Sequence, residues 1–459
     1  MNYKPINLVL LAGFLVSGCA VVGPNYEPPT IDLAAEFVEG SSASADQTAH
    51  LEWWLQFNDP LLTELVERGL QQNLDIQAAI ERINAAAAQL GSTGLASQAS
   101  GSLTSQTQRT GVEGFEADTA SSTSVNSSFV IDLFGGIARE QEQALANADA
   151  AHLDVGAAQL AYLSSMVDHY ISARYYQEAL ELTRQNVASQ ARTLSIVESQ
   201  RELGVTTDLN VAQARAQLDQ ARASIPGLEI GFHTSVYRIA TLLAEPAAPL
   251  LGSMQSGAPQ PHSRSNTGAG IPANLLRNRP DLWAAERRYA SALAAVGVAE
   301  AALYPSLTLS GSVTIASPDS WSFGPSIQLP ILGRGALASQ RDVQISNAQQ
   351  AEIEWRTLVL EAVEDVQIAQ ASYLRRQREV SSLRNAVASN RVVLDLTRSS
   401  FESGDQDVLD LLDTERNYAD SRLSLAAAVR DLSSAWVTLQ IASGRGWNTR
   451  RPVSAEPSN

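Results

Sequence analysis

RELGVTTDLNVAQARAQLDQAR, residues 201–222, and FESGDQDVLDLLDTERNYADSR, residues 401–422, are two versions of one segment set 200 positions apart. Gly204 answers Gly404, Leu209 answers Leu409, and Arg222 answers Arg422. Aligned without a gap, 177–222 and 377–422 agree at 11 of 46 positions, where unrelated sequence would agree at about 3. The chain is therefore built from two similar halves. Each glycine interrupts a long run with almost no other breaker, so each half reads as two long helices meeting at a tip.

Upstream of the second glycine, Ala336 to Ser403 contains neither Gly nor Pro over 68 residues. At 1.5 Å per residue, such a run extends roughly 100 Å as one helix or a few abutting ones. Its counterpart, Ile137 to Leu203, has Gly156 as its one breaker. Val380, Leu383, Val387, Leu394 and Phe401 follow a 3-4 spacing, with Asn390 and Thr397 filling the remaining seam positions. Leu180, Val187, Leu194 and Val197 repeat that register in the first half. A dry two-stranded coil tolerates few polar seam residues, whereas helices packed side by side round a wide barrel accept them. Periodicity alone leaves a coiled-coil rod and a tube equally open.

Between the helical runs lie segments of period two. Leu307, Leu309, Gly311, Val313 and Ile315 alternate with Thr308, Ser310, Ser312, Thr314 and Ala316; Pro318 and Asp319 break the run before Trp321, Phe323 and a second alternation ending at Leu329. The first half has a weaker equivalent in 100–110 and 122–133, where Val125, Phe129, Ile131 and Leu133 supply the apolar face. Two hairpins, or four strands, follow. Four strands cannot close, since outer-membrane barrels begin at about eight, so a membrane wall would need several chains. A four-stranded sheet packed on soluble helices fits the alternation equally well.

Charged residues are 18% of the 459 and hydrophobic ones 44%, the former below the roughly 25% of ordinary soluble domains. Ala, Ser and Gln are abundant, as in helical barrels and strands facing a watery lumen. A net charge of -17 argues against nucleic acid as a partner, because phosphate neutralisation needs clustered Lys and Arg. Lys4 precedes an apolar run from Ile6 to Val16, the length of a signal-peptide core and too short to cross a bilayer of roughly 30 Å. Residues 1–18 thus read as a removable leader. Val16-Ser17-Gly18-Cys19 resembles the lipobox of bacterial lipoproteins, and Cys19, the only cysteine, reads as a lipid attachment point rather than a nucleophile. Ala20 is no inner-membrane retention signal in that sorting pattern, which points to the outer membrane. No later segment offers a transmembrane helix, so any crossing is by strands.

Longer motifs then make a resemblance specific. CAVVGPNYEP at 19–28, NRPDLWAAE at 278–286, LYPSLTLSG at 303–311, IDLFGG at 131–136 and LPILGRG at 329–335 resemble hallmarks of the outer-membrane efflux factors. These are the TolC-like lipoproteins that form the exit duct of tripartite, resistance-nodulation-division type drug pumps. The resemblance runs from Cys19 to about Gly446, with Asn278 standing where the family often has Arg. It implies a mainly α fold with a membrane β-barrel: four strands and a long helical hairpin pair per protomer. A homotrimer then closes twelve strands into one barrel and lines twelve helices round a periplasmic tunnel. It implies outer-membrane lipid around the barrel, and a periplasmic adaptor with an inner-membrane pump at the tips near Gly204 and Gly404. By the same similarity, Leu409, Asp410, Asp413 and Arg416 form the periplasmic gate. Asp410 and Asp413 share a helix face, whereas Asn210 and Gln213 stand at the matching positions of the first half. Phe401 and Gln406 replace a tyrosine and an arginine of the gate network in some relatives, so the closed-state bonding differs.

Enzyme chemistry finds no footing in the pattern. His50, His152, His169, His233 and His262 lack a metal-binding spacing, no Gly-x-Ser-x-Gly elbow or phosphate loop occurs, and Gly333-Arg334-Gly335-Ala336 lacks a surrounding βαβ unit. No cofactor is expected beyond covalent lipid on Cys19. A protein-secretion duct and a non-channel periplasmic coiled-coil lipoprotein are the alternatives. The expected partition is leader 1–18, first half 19–251, a Gly/Ser/Pro/Gln-rich linker 252–270, second half 271–446 and a tail 447–459.

Overall fold

Both halves share one core series of helix, two strands, long helix and return helix, and the computed structural model describes the chain over residues 21–33, 37–39, 52–262 and 278–447. After a 3-10 turn at Trp53–Phe57, the first half runs through α1 (Pro60–Gln72), α2 (Leu74–Gly91), α3 (Leu95–Gln98), β1 (Ala99–Thr110), β2 (Asp118–Ile131), α4 (Gly136–Glu202) and α5 (Asp208–Leu242), followed by α6 (Ala247–Met254). The second half repeats the core of that series as α7 (Pro280–Ala301), β3 (Ser306–Ile315), β4 (Ser320–Gln328), α8 (Arg334–Ser403) and α9 (Val408–Ala442), with no counterpart of α1, α3 or α6 among the described residues. The return helices α5 and α9 are each 35 residues long and begin and end 200 positions apart.

Local chemistry sets these boundaries. Asp59 accepts from the Leu61 and Leu62 amides, Asn73 from those of Asp75 and Ile76, and Thr207 from that of Asn210, satisfying amides that a helix start leaves unpaired. At the two tips the chain turns through one motif twice. Gly204 and Gly404 take the left-handed conformation; Val205 donates back to Gln200 O at 2.9 Å and Asp405 to Ser400 O at 2.9 Å. These six-to-one bonds close the helix end in the Schellman manner, which a Cβ at the glycine would strain. Gly156 does not break α4. It sits where a Cβ would meet the Trp447 ring at 2.6 Å and Pro280 at 3.0 Å, so it is glycine for close packing.

The main core lies where α1, α4, α5 and α9 converge. Trp53, Phe57 and Trp436 meet edge to face at 5.6 and 5.1 Å, over Leu62, Leu65, Met166, Tyr170 and Ile239. Burying each such side chain contributes about 1.5–3 kcal/mol. Tyr162 donates to Leu65 O at 3.0 Å, so its polar end is not stranded. A second cluster of Val197, Ala214, Leu394, Phe401, Val408, Leu411 and Leu412 fills the tip region, and the seam positions Val380, Leu394 and Phe401 are buried as the 3-4 spacing predicts.

The stretch expected as an exposed linker at 252–270 departs from that reading where it is described. Residues 252–254 finish α6, and Gln260 is buried, donating to Glu178 Oε2 and Ala426 O at 2.9 Å each, while Ser433 donates to Pro261 O at 2.7 Å. The start of the linker is thus a packed strap across α4 and α9. Composition favours turns there but says nothing about which side chains find partners. Residues 263–270, Cys19, the leader and the tail beyond Trp447 lie outside the described residues.

Candidate functional site: the channel wall and the helical tips

The four strands form one antiparallel sheet in the order β1-β2-β3-β4, so β2 and β3 join the two halves. Register decides what each face presents. One face stacks Ile131, Leu307 and Ile327; then Phe129, Leu309 and Pro325; then Leu103, Val125, Val313 and Trp321. From the Ile131 row to Ile315 is eight residues, roughly 27 Å of strand, or about 20 Å of height at the usual tilt, close to the apolar band of outer-membrane barrels. Trp321, Phe323 and Ile327 on that face are exposed in the single chain. The other face stacks Ser100, Ser128, Ser310 and Gly324; Ser102, Asn126, Ser312 and Ser322; and Thr104, Ser124, Thr314 and Ser320. Its hydroxyls bond across strands, Ser100 to Ser128 at 2.7 Å and Ser312 to Ser322 at 2.8 Å. An apolar face and a hydroxyl face back to back suit a wall between lipid and water. Both edge strands, β1 and β4, are left with one neighbour each. Among the described residues, no helix is long and apolar enough to cross a membrane.

Just below the sheet, the segment following Cys19 is stapled in place. Val22 N–H donates to Phe134 O at 3.1 Å, at the corner where β2 gives way to α4. The buried Arg139 guanidinium donates to Val22 O at 3.1 Å, Gly23 O at 3.3 Å and Asn25 Oδ1 at 2.7 Å. Phe134 stacks on Tyr304 at 4.7 Å, joining the corner of the first half to the entry of β3.

At the opposite end, α9 divides its first turns cleanly. Val408, Leu411, Leu412 and Glu415 are buried; Leu409, Asp410, Asp413 and Arg416 lie together on the exposed face. Asp413 is held by Arg416 and, at 3.0 Å, by Asn417 Nδ2; Asp410 accepts from Gln406 Nε2. Gln406 thus engages a carboxylate four residues on, and Phe401 is part of the apolar tip cluster. The first-half tip has no such acidic face: Asn210 donates to Thr206 Oγ1 at 2.8 Å, and Arg201 pairs with Asp208 at 2.7 Å, holding that carboxyl below its usual range. Cross-ties between the halves include Gln217 Nε2 to Leu412 O at 3.3 Å.

The family model described as outer membrane efflux protein matches residues 65–245 and 271–445. The chain belongs to the outer membrane efflux protein family. Nodulation protein T of Rhizobium leguminosarum bv. trifolii is 38% identical over 450 residues, 95% of this chain and 96% of that protein. The pyoverdine export outer membrane protein OpmQ of Pseudomonas putida is 29% identical over 451 residues, 93% of this chain and 95% of that one. The solved outer-membrane channel OprN superposes with a TM-score of 0.84 at 30% identity, covering 93% of this chain and 99% of its own. The open-state MtrE outer membrane channel of Neisseria gonorrhoeae shares the fold, with a TM-score of 0.82 over 93% of this chain and 98% of its own. This chain is accordingly an outer-membrane exit duct of an efflux system, and its family is one of channels.

Two distant motifs, 19–28 and 278–286, meet in the fold. Tyr26 of the first motif donates to Glu286 Oε1 of the second at 2.5 Å, and Arg287 donates to the Tyr26 hydroxyl at 2.9 Å while lying over its ring. Burial first and the Glu286 carboxylate second push the Tyr26 hydroxyl above its ordinary range, keeping it a donor. Gly23 packs its backbone on Gly297, where a Cβ would approach the Gly297 Cα to 2.5 Å. Arg139 and Glu415 escaped the sequence reading, as their partners lie 114–117 and 222–226 residues away. One signal was available for Glu415: the pair Glu198 and Arg215 in the first half stands at the positions of Arg398 and Glu415 in the second, with the charges exchanged.

Proposed function

We propose that three copies of this chain close their sheets edge to edge into a twelve-stranded barrel and their hairpins into a helical tunnel, forming a passive conduit. The observation that carries this reading is the two-faced sheet with both edge strands unsatisfied: one chain offers a lipid-facing band and a water-facing wall but no closure. Cys19 carries the lipid that places the amino terminus at the membrane; the Val22–Asn25 staple beneath the sheet supports this, as it brings the chain to that level three residues later. The tips at Gly204 and Gly404 meet a periplasmic adaptor, and an inner-membrane pump supplies the work. This subunit then needs no cofactor and performs no catalysis, and its cargo consists of small molecules.

In the trimer, the exposed α9 face repeats three times about the axis, so Asp410 and Asp413 form rings of carboxylate with Leu409 and Arg416 beside them. Rings of one sign concentrate counter-ions, which makes the closed or partly open tip favour cations. Conductance of the purified trimer in a planar bilayer tests both statements. Asp410→Ala with Asp413→Ala is expected to lower the cation-to-anion permeability ratio; an unchanged ratio removes these residues from the gate, and a chain that never conducts removes the duct.

A further inference from the structure

The charge exchange between the two copies carries a further role. In the first half, Glu198 of α4 and Arg215 of α5 pair at 2.7 Å on an exposed surface, clasping the hairpin above its turn. At the same two positions of the second half stand Arg398 of α8 and Glu415 of α9, paired at 3.0 Å, but here the carboxylate side chain is 1% exposed. It also accepts from Ser189 Oγ at 3.0 Å and from Thr193 Oγ1 at 3.1 and 3.2 Å, both on α4, and Arg398 donates to Ser189 Oγ at 3.1 Å. Ser189 and Thr193 are four apart, so they present both hydroxyls on one face. The exchange therefore converts a clasp within one hairpin into a node joining three helices and both halves. A guanidinium at 415 would face two hydroxyls and the Arg398 charge, whereas the carboxylate there can accept from every neighbour.

Position along α9 gives the node its consequence. Glu415 follows Asp413 by two residues and Asp410 by five, which on a helix sets the three about 200° and 140° apart. With Glu415 pinned to α4, both aspartates must point away from that helix. We infer that Glu415, held by Ser189, Thr193 and Arg398, is the positioning residue that fixes the rotation of α9 and so aims Asp410 and Asp413 at the pore axis. The inference rests on the conduit reading above. Opening the tip by turning or tilting α9 requires this node to give way, while the exposed Glu198–Arg215 clasp stays intact.

Two variants separate this role from plain stability. Arg398→Glu with Glu415→Arg restores the polarity of the first half, keeping the clasp and removing the fit to α4. Ser189→Ala with Thr193→Val leaves the Arg398–Glu415 pair untouched and removes its donors on α4. Each is purified as the full chain, checked for a heat-resistant trimer and recorded in planar bilayers. The expected result is an intact trimer whose resting conductance rises about threefold or more and whose cation-to-anion permeability ratio falls in both variants. Wild-type conductance and selectivity in the hydroxyl-deleted variant would overturn the inference, whatever the charge-swapped variant does. Loss of conductance in the wild-type protein itself would instead strike at the conduit.

Discussion

Arg139 shows how one buried side chain can hold a segment that has no secondary structure of its own. Its guanidinium satisfies Val22 O, Gly23 O and Asn25 Oδ1 and pairs with Glu142 at 2.7 Å. Removing it strands these acceptors together beneath the sheet, at roughly 2–3 kcal/mol in sum. Arg139→Ala should therefore loosen the Val22–Asn25 staple without unfolding the helices: amide hydrogen exchange at Val22, Gly23 and Asn25 rises by about a hundredfold while exchange within α4 stays unchanged. Residues whose roles follow from local pattern were legible, as with Gly404, whose left-handed turn follows from its place between two breaker-free runs. Asp410 and Asp413 could be placed on one face from spacing alone. Arg139, Glu415 and Arg174 were not, because an arginine or glutamate on a helix is ordinarily solvated and only the distant partners make it a joint. Arg174, for instance, donates to Tyr170, Gln177 and Ser256 O across the core.

The strands and long helices were the most legible elements, since each is defined by what it lacks. The helices lack breakers. The strands lack charge over most of their length: 99–108, 119–131, 306–318 and 320–332 contain no Asp, Glu, Lys or Arg. Ionisable groups return at Arg109, Asp118 and Asp319 on the outer side and at Asp132 and Arg334 below. The hydroxyl face of the sheet thus offers hydrogen bonds and no fixed charge, so it neither repels nor captures an ion passing along it. Cysteine substitution tests this wall directly, with Cys19 the sole native cysteine. Ser310→Cys should react with cationic and anionic water-soluble thiol reagents at relative rates within about twofold of those for a free thiol. Leu309→Cys, one residue earlier and facing the opposite side, should stay unmodified in the membrane. Reaction at Leu309→Cys, or a strong preference for one sign at Ser310→Cys, would contradict the assignment of faces. The strap at 255–262 was the element least readable, because its Ser, Gly and Pro content signals turns whether or not the turns pack.

At the scale of the molecule, the question is what holds the chain in the membrane, and the candidate answers differ in magnitude. A single acylated cysteine gives modest anchoring, because each chain contributes only its own buried methylenes. A barrel buries an apolar band on every strand, here the rows from Ile131 to Ile315 and across to Trp321 and Ile327, repeated in each copy. If copies close the sheet, the barrel dominates and the lipid is secondary. Cys19→Ser, secreted with a cleavable leader in place of the lipoprotein one, should then still fractionate with the outer membrane, resist alkaline carbonate extraction and run as a trimer before heating. A coiled-coil lipoprotein without a barrel would behave otherwise: with its lipid removed, it would appear in the soluble periplasmic fraction as a species that dissociates without heat. The two edge strands of the single chain make the first outcome the expected one, since a sheet left open at both ends at bilayer depth would leave its outer amides and carbonyls unbonded in hydrocarbon.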